Sequence, residues 1–272
     1  MNTNSPEVVQ YVNSGSICPN AIPLRAENVN KSFGAVVAAN NININIDKGE
    51  KVSLIGSNGA GKTTFMNMVT GYLKPDTGHI YLKNEEITQL DPRIITQKGI
   101  SRSFQIPQIF EPMTAWENLL IALGTSQKKH SYFKNARSKE NGDFIDEILN
   151  RFALNEFAHR QVSELPGGVR KLLDIAMALV RKPDILLLDE PTSGVGAEEK
   201  YPLMDTIAKA LSGQGLTVIF VEHDMDIVQN YSDRIIAFYQ GAVIADGNGN
   251  TVLNDSNVKK YVTGKTEVKA NL

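Results

Sequence analysis

With 272 residues, the chain is long enough for one large α/β domain, or one domain carrying an inserted subdomain, and its core needs neither disulfides nor metals. The apolar fraction of 42% is that of an ordinary globular protein, and a formal net charge of −2 provides no global attraction to nucleic acid or acidic lipid. A single cysteine, Cys18, excludes a disulfide framework and fits a reducing compartment.

Residues 1–23 are rich in Asn, Ser and Pro and lack both the basic start and the apolar stretch of a signal peptide, so they read as a flexible tail. No apolar run reaches bilayer-spanning length. The longest, Ile175 to Val180, lies inside a predicted amphipathic helix, and any work at a membrane must go through a partner. Leu24 to Val29 and Asn41 to Ile46 read as strands; in the second, Ile42, Ile44 and Ile46 alternate with asparagines. After the Lys48-Gly49 turn, Lys51 to Ile55 reads as a buried strand running into a glycine-rich loop. Thr63 to Thr70 is helical and Gly71 closes it. Pro75-Asp76-Thr77-Gly78 is a turn before a short strand, His79 to Leu82.

From about Gln105 to Leu165 the sequence is mostly helical, and Thr114 with Glu117 three residues on forms a capping box. The run Gln127 to Asn141 carries Lys128, Lys129, Lys134, Arg137 and Lys139; it reads as a solvated loop or helix face, with an RNA, lipid or partner contact as the sharper alternative. Asp143 to Phe152 returns to helical periodicity. Beyond it, Val169 to Arg181, Glu199 to Leu211 and Met225 to Asn230 are predicted helices. Between and after them, Ile185 to Asp189, Thr217 to Val221, Arg234 to Tyr239 and Ala242 to Ala245 are predicted strands, the last two turning at Gln240-Gly241. Such alternation predicts an α/β fold with a mainly parallel sheet covered on both faces. One domain over 24–264 is expected, with a helical subdomain at about 105–168 and a C-terminal tail at 265–272.

The loop Gly56-Ser57-Asn58-Gly59-Ala60-Gly61-Lys62-Thr63 matches G-x-x-x-x-G-K-[ST] without a mismatch, between a predicted strand and a predicted helix. Its glycines let backbone N–H groups turn toward phosphate oxygens, and the following helix aims its positive end at them. Lys62 would reach the β- and γ-phosphates and Thr63 would ligate Mg²⁺. The strand Ile185 to Asp189 ends in two acids: Asp189 would hold the Mg²⁺, directly or through water, and Glu190 would polarise the attacking water as general base. His223, after another apolar strand, sits at the sheet edge where open α/β sheets bind ligands.

The ordered set Phe33, Gly56 to Thr64, Gln105, Leu165-Pro166-Gly167-Gly168, Asp189-Glu190 and His223 resembles the nucleotide-binding subunit of ABC transporters over nearly the whole of residues 24–264. The resemblance implies a P-loop NTPase core with an N-terminal antiparallel β portion and an inserted helical subdomain, using ATP and Mg²⁺. It makes Phe33 the aromatic that stacks on adenine, against a bland reading as a core ring on an edge strand. It makes Gln105 a contact to Mg²⁺ and the attacking water, Glu190 the catalytic glutamate and His223 the switch histidine. Thr64 and the Leu165 to Gly168 loop join the nucleotide-binding set. Finer likeness lies in Arg102-Ser103-Phe104-Gln105, Phe110, Met113 to Asn118 and Tyr261 to Gly264, which resemble the branched-chain amino acid importers, with urea and amide importers close by. The resemblance implies transmembrane permease subunits, a second ATP-binding subunit (identical or different), an indirect solute-binding protein, no nucleic acid, and a peripheral place on the cytoplasmic face of the inner membrane.

Two stretches depart from the family pattern. Its signature is usually Leu-Ser-Gly-Gly-Gln, here Leu165-Pro166-Gly167-Gly168-Val169, and in the family this loop closes on the γ-phosphate of the opposite subunit. Pro166 removes a hydroxyl donor to a charged group, about 1.5–3 kcal/mol, which predicts weakening by about 10- to 100-fold at worst. Gly167 and Gly168 still offer N–H groups, and proline suits a helix's first position. Gly196 stands where the family usually has an aspartate that communicates across the dimer. Both changes touch contacts made in trans, which points to an asymmetric dimer with one slower site. Two other functions compete: a soluble ABC-type ATPase acting on ribosomes or DNA, and a nucleotide switch that barely turns over. The first is opposed by a single cassette without sustained heptads, the second by Glu190 and His223.

Overall fold

A computed structural model describes residues 23–126 and 138–264. The expected N-terminal tail with Cys18, most of the basic run around Lys128 and the C-terminal tail lie outside the described residues. The chain divides into two compact units: residues up to Asp91 together with those from His223 onward, and Pro92–Glu222. The second is wider than the helical subdomain expected over 105–168, because it also carries strands.

In the first unit, β1 (Leu24–Phe33) and β2 (Val36–Ile46) form an antiparallel pair from Leu24 opposite Ile46 to Phe33 opposite Val36. Ile42, Ile44 and Ile46 are buried, as their alternation requires. Both strands run further than expected, β1 on to Phe33 and β2 back to Val36, and asparagine absorbs irregularities within them. Asn28 and Asn41 take the left-handed conformation at φ of 50°, and Asn28 N–H donates to Asn43 Oδ1 at 2.9 Å. β1 also pairs with β4 (Thr77–Leu82), and β4 with the short β5 (Glu85–Glu86). Between these strands lie β3 (Lys51–Ile55) and α1 (Lys62–Val69), which stops at Gly71 with φ of 78°.

The second unit opens with α2 (Pro92–Lys98) and β6 (Ile100–Ser103). Next comes α3 (Ala115–Ser126), whose start has both halves of the expected capping box. Thr114 N–H donates to Glu117 Oε2 at 3.0 Å, and Glu117 N–H donates to Thr114 Oγ1 at 3.2 Å. The unit continues through α4 (Lys139–Arg151), α5 (Gly167–Leu179), β7 (Ile185–Asp189), α6 (Ala197–Leu211) and β8 (Thr217–Val221). β6, β7 and β8 are parallel neighbours, with Ile185 level with Ile100 and Thr217. Ile185, Leu186, Leu187 and Leu188 are all buried, the unbroken apolar run that a strand covered on both faces needs.

Back in the first unit, α7 (Met225–Tyr231) is capped by Asp224, whose carboxylate accepts from the N–H groups of Asp226 and Ile227. β9 (Arg234–Tyr239) runs parallel to β3 and turns at Gln240-Gly241, both at positive φ, into β10 (Ala242–Gly247). Helix α8 (Gly249–Asn254) follows, and Val252 joins Ile55, Val228, Ile235, Ala237 and Ala245 in one apolar cluster.

Candidate active site

The phosphate loop leaves β3 and is shaped by backbone crowding. A Cβ on Gly56, at φ of 152°, would stand 2.5 Å from the Phe238 carbonyl oxygen; one on Gly61, at φ of 108°, would stand 2.5 Å from that of Ala38. Only glycine fits at these two points. The Gln240-Gly241 turn buttresses the loop, because Gly241 N–H donates to the Ala60 carbonyl at 2.9 Å. Gly61 is the N-cap of α1 and makes no side-chain cap, so the first-turn N–H groups point at whatever occupies the loop. Lys62 is 5% exposed and its Nζ donates to the carbonyls of Gly56 and Ser57 at 2.7 and 3.1 Å. Ser57, Asn58, Gly59 and Thr63 are exposed, with Thr64 partly so. Phe33 is 52% exposed, with the Lys31 amine 5.6 Å from its ring centroid, so it is no core aromatic. It faces Val36 at the tip of the hairpin whose second strand brings Ala38 against Gly61.

In the second unit the acids stand where β7 ends. Arg102 Nη2 donates to Asp189 Oδ2 at 2.5 Å, with the two side chains 6% and 10% exposed. Glu190 takes φ of 49°, a strained conformation that costs of order 1–3 kcal/mol and persists where its surroundings fix it. Those surroundings are visible: Glu190 N–H donates to the Val221 carbonyl at 3.1 Å, and its own carbonyl accepts from Ser193 N–H at 3.0 Å and Lys171 Nζ at 3.3 Å. The strain aims the side chain at Gln105, whose Nε2 donates to Glu190 Oε2 at 2.6 Å. Two residues 85 positions apart, chosen from sequence for one reaction, thus meet directly.

Gln105, Gly167, Lys171, Ser193, Gly194 and Val195 line one open cleft of about 460 Å³. It joins Gln105 to the start of the signature helix and to the turn after the acids. Leu165 is buried, whereas Pro166 and Gly167 are exposed. Pro166 is not the first helical residue, as expected, but the N-cap one position earlier, at ψ of 154° and without a side-chain cap; Arg170 N–H donates to its carbonyl at 3.0 Å. The helix therefore starts at Gly167 itself. Gly196 likewise sits at the N-cap of α6 with no capping side chain. His223 is exposed, just after β8 and before the Asp224 cap.

Sequence reasoning gave no role to the charges that hold this arrangement. They are Arg102 on Asp189, Lys171 and Asp174 on α5, and Glu222, whose Oε1 accepts from Thr192 N–H and Oγ1 at 2.9 and 2.7 Å. A signal was present for one pair. Lys171 and Asp174 fall in phase with the apolar stripe of α5, where a charge must have buried partners.

A family model described as ABC transporter matches residues 39–193. A probable branched-chain amino acid transport ATP-binding protein LivG of Methanocaldococcus jannaschii is 35% identical over 252 residues, 89% of this chain and 97% of that protein. The high-affinity branched-chain amino acid transport ATP-binding protein LivG of Escherichia coli is 38% identical over 241 residues, 86% and 94% of the two chains. Among solved structures, the ADP conformation of MJ1267, an ATP-binding cassette of an ABC transporter, superposes with a TM-score of 0.76 at 35% identity, covering 88% of this chain and 97% of that one. The dimeric cassette MJ0796 bound to ADP and Pi gives 0.72 at 29% identity, covering 83% and 98%. The expected P-loop NTPase fold is thereby found, and the chain belongs to the ABC transporter family as one of its ATP-binding, ATP-hydrolysing cassettes.

Proposed function

We propose that this cassette powers a membrane importer of branched-chain amino acids or related small amides, with Glu190 as general base and Gln105 as the group that orients the attacking water. The observation that carries the catalytic part is the 2.6 Å contact between the Gln105 amide and the Glu190 carboxylate. A water held by both would be polarised by one and oriented by the other, and general bases of this kind contribute about 10²- to 10⁴-fold in rate. Lys62 and the loop Gly56 to Thr64 would hold the phosphates, Phe33 the adenine, and His223 the γ-phosphate.

Thr63 and Asp189 would hold Mg²⁺, which neutralises charge on the phosphates when bound. The donor set fits that ion: a hydroxyl and a carboxylate are hard oxygen donors, and Mg²⁺ is commonly held by one or two carboxylates together with phosphates and water. Arg102 Nη2 donates to Asp189 Oδ2 and so orients that carboxylate.

Among the described residues no helix is long and apolar enough to cross a membrane, so transport requires permease subunits. Ile106, Phe110 and Met113, exposed by 76%, 50% and 38% close to Gln105 in the chain, offer an apolar surface for such a partner. A second cassette, identical or different, would complete each site with its Leu165 to Gly168 loop, and the complex would sit at the cytoplasmic face of the inner membrane with a solute-binding protein delivering cargo. The transport names of the relatives weigh against a ribosome- or DNA-acting role. Purification of the chain from membranes tests the proposal. Co-purifying transmembrane subunits, a companion solute-binding protein that takes leucine, isoleucine or valine, and ATP-dependent uptake are expected. Salt-sensitive nucleic-acid binding with no membrane partner is the outcome that overturns it.

A further inference from the structure

Helix α5 starts at the loop containing Pro166, and its inward stripe carries two charges where its period calls for hydrocarbon. Lys171 lies three and four residues before Asp174 and Ile175, and these lie four and three before Ala178, so all share one face; Lys171 and Asp174 are each 5% exposed. Each is satisfied in one place. Asp174 accepts from Ser103 Oγ at 2.6 Å, Phe104 N–H at 3.2 Å and Gln108 N–H at 3.0 Å. Lys171 Nζ donates to the Gln105 carbonyl at 2.5 Å and the Glu190 carbonyl at 3.3 Å. All of these except the Glu190 carbonyl end on residues 103–108. Burial pushes the Asp174 carboxyl above its ordinary range and pulls the Lys171 amine below its own, against their mutual attraction. Two buried charges thus hold one loop whose Gln105, Ile106 and Gln108 are exposed.

We propose that Lys171 and Asp174 are positioning residues that fasten the 103–108 segment to α5 and so fix the Gln105 amide against the Glu190 carboxylate. The inference rests on the roles proposed for Gln105 and Glu190. Gln105 is exposed and meets Glu190 through a single side-chain hydrogen bond, so the placement of its backbone decides whether the amide reaches. Lys171 fixes the backbones of both partners at once, and Asp174 fixes the loop on either side of Gln105. Any shift of the Gly167 end of α5 is then carried to Gln105 as one movement. A misplacement of about 1 Å at a reacting centre can cost about 10²-fold in rate.

The test uses the full chain with Asp174→Asn and Lys171→Met, each alone and combined with Gln105→Ala, and Ser103→Ala as the milder variant should either fold poorly. Amide exchange read by mass spectrometry is expected to quicken across 104–108 while the phosphate loop keeps its protection. ATP turnover is expected to fall in kcat by about 10- to 100-fold with KM within about twofold. For Asp174→Asn, no further fall is expected once Gln105 is already alanine, because a residue acting through Gln105 has nothing left to act on. An unchanged kcat, a loss that adds in full to that of Gln105→Ala, or exchange quickened evenly over the unit overturns the proposal. Glu190→Gln run in parallel separates the two readings: if it leaves kcat intact, the assignment of the base has failed, and the exchange pattern alone decides the fastening.

Discussion

The two compact units hold their parts of the machinery by different means. In the first, the phosphate loop is a backbone object: glycines that no side chain can replace, carbonyls that receive Lys62, and N–H groups at the start of α1. In the second, the working residues are held by charged side chains far apart in sequence: Arg102 on Asp189, Lys171 on Gln105 and Glu190, Glu222 on Thr192. A backbone cradle binds whatever phosphate enters it. A side-chain network can be shifted as a set. The first arrangement suits nucleotide binding and the second suits control of turnover.

Single substitutions can break that division. The largest effect is expected from Glu190→Gln, which keeps the shape and the Gln105 contact but removes the proposed base. Turnover should fall about 10²- to 10⁴-fold while ATP binding, measured directly with a fluorescent nucleotide, stays unchanged. Lys62→Met comes next and should do the reverse. It preserves buried volume but forfeits a charge-assisted contact of about 1.5–3 kcal/mol, raising the Kd for ATP by about 10- to 100-fold. Equal losses of binding and turnover in both variants would erase the distinction between the units.

A smaller effect is expected at the start of α5. Pro166→Ser restores a hydroxyl, and because position 166 is the N-cap, that hydroxyl can serve the helix as well as a phosphate from a second subunit. Single-turnover hydrolysis by the assembled complex should quicken by about 10-fold. A variant that gains thermal stability but no speed would show that the loop acts only as a helix start. If matched single-turnover measurements on each site of the unsubstituted dimer find both equally fast, the expected asymmetry of the dimer is wrong.

The same division explains what could be read from the chain alone. β3, the phosphate loop and α1 are contiguous, so one motif contains the whole cradle. β7, β8 and β9 were legible to the residue because a strand buried on both faces must be apolar throughout. The Gln105–Glu190 meeting was legible only through family likeness, since nothing local ties two positions 85 apart. Arg102 and Glu222 went unassigned because a charge's burial is set by tertiary packing, whereas Asp174 had a signal in its phase on the apolar stripe. The extra length of β1 and β2, residues 30–33 and 36–40, was hidden for another reason: the pairing there shifts register, which breaks the simple alternation that marks a strand.

The least effect is expected at a side-chain tie in the backbone-built unit, and its size measures how complete the contrast is. Asp76 accepts from Lys31 Nζ at 2.6 Å and Ser32 N–H at 2.8 Å, tying the end of β1 beside Phe33 to the start of β4. The Lys31 hydrogen bond, helped by that of Ser32, holds its carboxyl below the ordinary value of 3.8. A depressed folded value means a contribution fully present above the unfolded value, and lost as pH falls below 3.8 through the folded one. Asp76→Asn should therefore lower stability slightly at neutral pH, less in high salt because the pair is exposed, and the gap from the parent should close in acid. Denaturant titrations at several pH values check this. If the variant also weakens ATP binding strongly, the adenine end of the first unit depends on a charged side chain after all. The backbone account would then hold for the phosphate loop alone.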